Sequence, residues 1–210
     1  MPARLRPTAP IAADAILVGD PGRALMLAQE LLQQPKMSNH ARGLWGYTGV
    51  TATGDELTIQ STGMGGPSAA VVVADLAELG VRRAIRVGTC ASLGDLELGD
   101  WLLVAEANAR RPDHDLTEAL AAALPDAHRG RVVSLDTLFR TERDRPSVLV
   151  EAADMQTAGL LASAAEHGVA AAALLIVFEK SGSGQLRDEE LEEAAKRAGA
   201  AAKGSLSTSG

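Results

Sequence analysis

The sequence predicts a single-domain α/β fold, a central mixed β-sheet flanked by helices. Three observations predict it. Short apolar runs of strand length alternate with longer runs of helix length. Small-residue turns stand at the carboxyl ends of strand-like runs, above all STGMGGPS at 61–68 and RVGTC at 86–90. No linker, low-complexity block or internal repeat interrupts the 210 residues, a length that suits one domain with a full core.

The elements follow in order. AILV, residues 15–18, is a buried strand, and GDPGR turns it into a helix near 24–32. WGYTGVTATGDELTIQS, residues 45–61, is a hairpin turning at Thr53, Gly54 and Asp55. Residues 68–79 form a helix that Gly80 stops. RRAIRV at 82–87, WLLVAEA at 101–107 and RVVSL at 131–135 are strands. Residues 152–167 read as an amphipathic helix ending at Gly168. AAALLIVFE at 171–179 is the last strand and 188–200 the last helix, with a frayed tail from about residue 203.

Composition narrows the function classes. Aromatic residues make up only 2% of the chain, so the core is built from small aliphatic side chains. The formal net charge of −7 and the lack of a basic run argue against a nucleic-acid partner. One cysteine, Cys90, excludes an internal disulfide and fits a reducing, cytoplasmic location. No apolar run reaches membrane-spanning length and the N-terminus carries no signal-peptide pattern, so no membrane association is expected.

The turns carry the chemistry, because ligands of such sheets sit beyond the carboxyl ends of the strands. In GDPGR, Gly19 allows close backbone approach, the helix N-terminus favours an anion, and Arg23 offers a fork of donors suited to phosphate. An ordinary Asp-Pro-Gly turn with a solvated arginine explains the motif equally well. In RVGT, Arg86 lies within an apolar strand, where an unpaired guanidinium is costly, so it requires an acidic or phosphate partner. Thr89 adds a hydroxyl. Cys90 reads as a small buried residue, since no Cys–His pattern accompanies it. No His/Cys cluster has metal-ligand spacing.

STGMGGPS, the helix ending ADLAELG and the strand with RVGT together resemble the nucleoside phosphorylases, the family of uridine phosphorylase and the hexameric bacterial purine nucleoside phosphorylases. GDPGR, NHARGLWGYTG, SLDTLF and, with changes, DMQTAGLLASAAEHG extend the resemblance in order from about Leu5 to Glu179. It implies a partly barrel-like sheet and a phosphate site of Gly19, Arg23, Arg86 and Thr89. It also implies that Arg42 reaches the phosphate of a neighbouring subunit, so that sites are shared in a dimer or hexamer. Met64 and Met155 would line the ribose and Phe139 would pack on the base; on their own, all three read as core residues. The implied reaction is phosphorolysis of a nucleoside through an oxocarbenium-like transition state. Inorganic phosphate is the co-substrate, and no metal or organic cofactor takes part.

The chain departs from the family pattern in places that matter. Gln156 follows Met155 where the family usually has a glutamate on the ribose hydroxyls; Asp154, one residue before, is a second ribose candidate. Glu179 matches the aspartate that protonates the leaving base in the purine enzymes. The position near Arg4 matches an N-terminal histidine that often reaches a neighbouring site, and Ala91 stands where glycine is common. The segments 107–116 and 139–154 are short, and only Arg143 and Arg145 lie where uridine phosphorylases read uracil. STGMGGPS and SLDTLF lean towards the uridine branch and the missing uracil readers away from it, so both bases stay open. Two other readings share these residues. One is a nucleosidase using water, which the three arginines disfavour. The other is a homologue that binds a nucleoside or sugar phosphate without turnover, which Gln156 and the short segment motivate.

Overall fold

The computed structural model describes residues 4–137 and 149–208. Among the described residues ten strands form one mixed sheet with five α-helices: β1 (Asp14–Val18), α1 (Pro21–Leu31), β2 (Gln33–Asn39), β3 (Gly46–Val50), β4 (Glu56–Ser61), α2 (Gly66–Glu78), β5 (Arg83–Ser92), β6 (Trp101–Ala107), α3 (His114–Ala123), β7 (His128–Ser134), β8 (Ala152–Asp154), α4 (Thr157–Glu166), β9 (Ala170–Lys180), β10 (Gly184–Gln185) and α5 (Asp188–Thr208).

Half of the sheet closes on itself. β5 pairs with β9, β9 with β6, β6 with β7, β7 with β8, and β8 returns to β5, so five strands make a small barrel. The other half runs out open from β5 as β1, β4, β3 and β2. Both faces are covered. Ala15 and Leu17 face the cluster that holds α2 and α4, whereas Ile16 and Val18 face the cluster that holds α1, α3 and α5. That period-two division within one apolar run is what a doubly covered strand requires.

β5 decides where the site lies. Its first part pairs with β1, ending at the Leu17–Arg86 pair. On its last part β8 begins at Ala91. Between them, residues 87–90 have no strand neighbour on that edge among the described residues, and the sheet splits there. A split in strand order is where α/β sheets open a ligand crevice.

Several boundaries differ from the sequence reading, each for a physical reason. The helix expected over 152–167 starts only at Thr157, because residues 152–154 complete the barrel as β8 and the Asp154 carboxylate accepts the Thr157 N–H at 3.0 Å. The strand expected over 82–87 continues to Ser92 by pairing with β9. The tail expected to fray from 203 continues α5 to Thr208. Ala198, Ala202 and Leu206 recur every four residues and are buried against α1, and the Ser207 hydroxyl donates to Asp55 at 3.0 Å. β2, β8 and β10 carry no strong periodic signal and emerge only in the structure; α3 is also absent from the sequence reading, although Leu116 and Leu120 recur at helical spacing behind the Asp113 cap.

Candidate active site

A cavity of about 550 Å³ opens at the split in the sheet. The β1–α1 turn, the loop from β4 to α2, the free edge of β5 and the residues before α4 line one end. Phe178 and Glu179 of β9 and Gln185 of β10 line the other. Phe178 and Glu179 are adjacent yet both line it. The register slips between Cys90 and Ala91, where β9 carries an extra residue, and such a bulge re-aims strand side chains.

On the β1–α1 side, GDPGR is a preformed helix start. The Asp20 side chain accepts the Arg23 N–H at 2.7 Å and Pro21 opens the first turn. The Arg23 guanidinium lines the cavity without a hydrogen-bond or ion-pair partner among the described residues. Burial lowers its pKa; Asp20 opposes that, and the nearby charge of Arg86 adds to it.

On the opposite side Arg86 is 4% exposed, with three of its five N–H donors engaged. It donates from Nη2 to Asp154 at 3.1 Å, from Nη1 to Gln156 Oε1 at 2.7 Å, and from Nε to the Thr157 hydroxyl at 3.1 Å. Asp154 is equally occupied, accepting from the Ser134 hydroxyl at 2.5 Å and the Thr157 hydroxyl at 2.6 Å besides Arg86. The glycine of RVGT is explained by this packing: a Cβ on Gly88 would lie 2.5 Å from Arg86 Cζ. Gln156 completes the wall. Its Oε1 also accepts from Thr62 at 3.3 Å, and its Nε2 donates to the Gly63 carbonyl, tying Arg86 to the glycine loop.

STGMGGPS is shaped by two close approaches. Gly63 has φ 72°, and a Cβ there would meet the Ser68 hydroxyl at 2.8 Å. At the crossing of α2 and α4, a Cβ on Gly159 would lie 2.9 Å from Gly66 Cα. The loop therefore packs the two helix starts together and sets their distance from Arg86.

The structure brings Gly19, Arg23, Arg86, Thr89, Met64, Asp154, Met155, Gln156 and Glu179 to one cavity. Their surroundings differ from expectation at three of them. Met64 is 80% exposed at the rim. Asp154 is buried, with both carboxylate oxygens turned to Arg86, Ser134 and Thr157, so it positions Arg86. Gln156 is buried and bonded to protein on both ends of its amide. Glu179 is exposed and, like Arg23, has no side-chain partner among the described residues.

Arg42 does not line this cavity. It is exposed on the turn before β3, with φ 61°, where the buried Asn39 amide donates to the Leu44 carbonyl and holds the turn shut. Phe139, Arg143 and Arg145 lie outside the described residues. Cys90 is buried, and burial, with Asp154 nearby, pushes its thiol up to about 12, so it stays protonated. Sequence reasoning missed Ser134, Thr157 and Gln185. Hydroxyls on separate strands and helices, and an amide on a two-residue strand, leave no pattern to find.

Among the described residues no helix is long and apolar enough to cross a membrane. A family model described as the phosphorylase superfamily matches residues 14–111. A purine nucleoside phosphorylase of the DeoD type from Caldanaerobacter subterraneus subsp. tengcongensis is 30% identical over 205 residues, covering 86% of this chain and 88% of the relative. Proteins of the same name from Oceanobacillus iheyensis and Bacillus cereus are each 32% identical, over 195 and 200 residues, covering 80% and 83% of this chain. The split sheet, the arginine-lined cavity and these matched lengths agree, and the chain belongs to the phosphorylase superfamily.

Proposed function

We propose that this protein cleaves the N-glycosidic bond of a purine nucleoside by phosphorolysis, releasing free base and ribose or deoxyribose 1-phosphate. The observation that carries this is the half-buried guanidinium of Arg23, without a partner among the described residues, beside Arg86 and facing one cavity with Gly19 and Thr89. Asp154 offsets the charge of Arg86, Arg23 has no such ion pair among the described residues, and a phosphate beside it would supply the missing charge. The names of the relatives support a purine substrate.

In this reading phosphate sits between Arg23, Arg86, the Gly19 backbone and Thr89. Met155 and Met64 flank the sugar. As the glycosidic bond lengthens, positive charge grows on the anomeric carbon, and the held phosphate both stabilises it and attacks. Glu179 at the far end of the cavity delivers the proton to the leaving base. No metal or organic cofactor takes part. Arg42, held rigidly away from its own cavity, completes the site of a neighbouring subunit in a homo-oligomer, and the protein is cytoplasmic.

The test is a panel of nucleosides incubated with and without phosphate, read as free base and sugar 1-phosphate. Base release that requires phosphate supports the proposal; equal release without phosphate identifies a nucleosidase and overturns it. One observation favours a second reading. The Gln156 amide is spent on Arg86, Thr62 and Gly63, leaving no carboxylate for the ribose hydroxyls. A protein that binds nucleoside without turnover would release no base in the panel, and Gln156→Glu would restore release.

A further inference from the structure

Gln185 has no role in the phosphate or ribose contacts, yet it lines the same cavity. It sits on β10 directly opposite Glu179 in an antiparallel pair. Opposed residues of such a pair project to the same side with Cβ atoms about 5 Å apart, so the carboxamide and the carboxylate stand side by side. Neither side chain has an intramolecular partner among the described residues. Both are exposed.

Their place along the cavity says which part of a ligand they meet. Glu179 pairs with Ala91, and Ala91 lies five residues beyond Arg86 on β5. The Arg86 guanidinium reaches forward to Gly88, three residues before Ala91, so at 3.3 Å per residue its head lies about 10 Å of strand from that pair. A nucleoside with its sugar over the arginines therefore places its base at Glu179 and Gln185. The polar edge of a purine carries N7 next to the 6-substituent, two neighbouring hydrogen-bonding groups. N7 accepts from a protonated carboxyl. The 6-substituent donates when amino and accepts when oxo, and a carboxamide answers either by turning over.

We propose that Gln185 is a specificity-determining residue that hydrogen-bonds the 6-substituent of a purine base whose N7 faces Glu179. The inference rests on the phosphorolysis reading of this cavity for the placement of sugar and base. It adds a named group that discriminates purines by their 6-position.

The test compares wild type with Gln185→Met, a side chain of similar length without donor or acceptor. Each is assayed on three nucleosides: 6-aminopurine, 6-oxopurine, and a purine bearing hydrogen at position 6. Wild type is expected to favour both 6-substituted nucleosides at least tenfold in kcat/KM. Gln185→Met is expected to bring all three within about twofold, with KM for phosphate unchanged. Equal losses on all three substrates, or an unchanged preference, overturn the inference. Binding of the three free bases, measured by calorimetry, separates the two proposals. If wild type shows no turnover but Gln185→Met erases a preference in base binding, phosphorolysis fails and the Gln185 assignment stands. If turnover depends on phosphate and the preference does not move, only the Gln185 assignment fails. If the bases neither bind nor are released, both fail.

Discussion

The two arginine walls of the cavity are built on opposite principles. Arg86 is neutralised by Asp154 and held by Gln156 and Thr157, so every nitrogen of its guanidinium has a protein partner. Arg23 is half-buried and has none among the described residues. The difference teaches that Arg86 is built into the architecture while keeping two N–H donors, and that Arg23 has no such anchor among the described residues. A buried ion pair resists removal of one member, because the remaining charge is stranded. An unpaired buried charge costs stability while it waits, and a bound anion removes the cost.

The largest effect that can break this comparison is Arg86→Ala. It leaves Asp154 buried with only hydroxyl and N–H partners and is expected to cost about 3–5 kcal/mol in chemical denaturation. The double variant with Asp154→Ala should recover part of that loss. If the single variant is as stable as wild type, the pair is not structural.

Next in size is Gly159→Ala. Its new Cβ would press on the Gly66 backbone 2.9 Å away, where no side chain can yield. A loss of about 1–3 kcal/mol is expected, as for an overpacked core. Thermal melting measures it, and an unchanged midpoint would show that α2 and α4 move apart freely.

Arg23→Gln sharpens the contrast from the other side. Phosphate KM is expected to rise at least tenfold, about 1.4 kcal/mol, with unfolding free energy in phosphate-free buffer equal to or above that of wild type. Added phosphate should raise the melting temperature of wild type and not of this variant. A stability loss comparable to that of Arg86→Ala would show that Arg23 is also architectural.

The smallest effect concerns Cys90, which packs beside the Arg86–Asp154 pair. Its folded-state pKa of about 12 lies above the ordinary thiol value of 9.0. The protonated thiol therefore favours the folded state. That contribution is fully present below about pH 9 and is lost as pH rises from there towards 12. Cys90→Ala should show a flatter decline of stability above pH 9 than wild type. Identical slopes would indicate that the thiol titrates normally.

Much of the framework could be read along the chain. Alternating apolar runs and GDPGR, STGMGGPS and RVGT located the strand ends, because such turns are local and their glycines are required by backbone geometry or close contact. The residues Gly19, Arg23, Arg86, Thr89 and Met155 line one cavity. Met64 was placed at the rim. Asp154, a ribose candidate in the sequence, has its carboxylate occupied by protein, and nothing local shows that Ser134, twenty residues earlier, and Arg86 on β5 converge on it.

The chain order alone therefore settles the fold class, the glycine-rich turns at strand ends and the arginines within them, since each depends on short-range pattern and residue chemistry. Which arginine is paired, which acid is spent on pairing, and that Gln185 stands beside Glu179 were decided only when β5 was shared between β1, β8 and β9. Those outcomes depend on contacts between residues up to 88 positions apart, as in the Ala91–Glu179 pair, and burial makes their electrostatics depend on every partner at once.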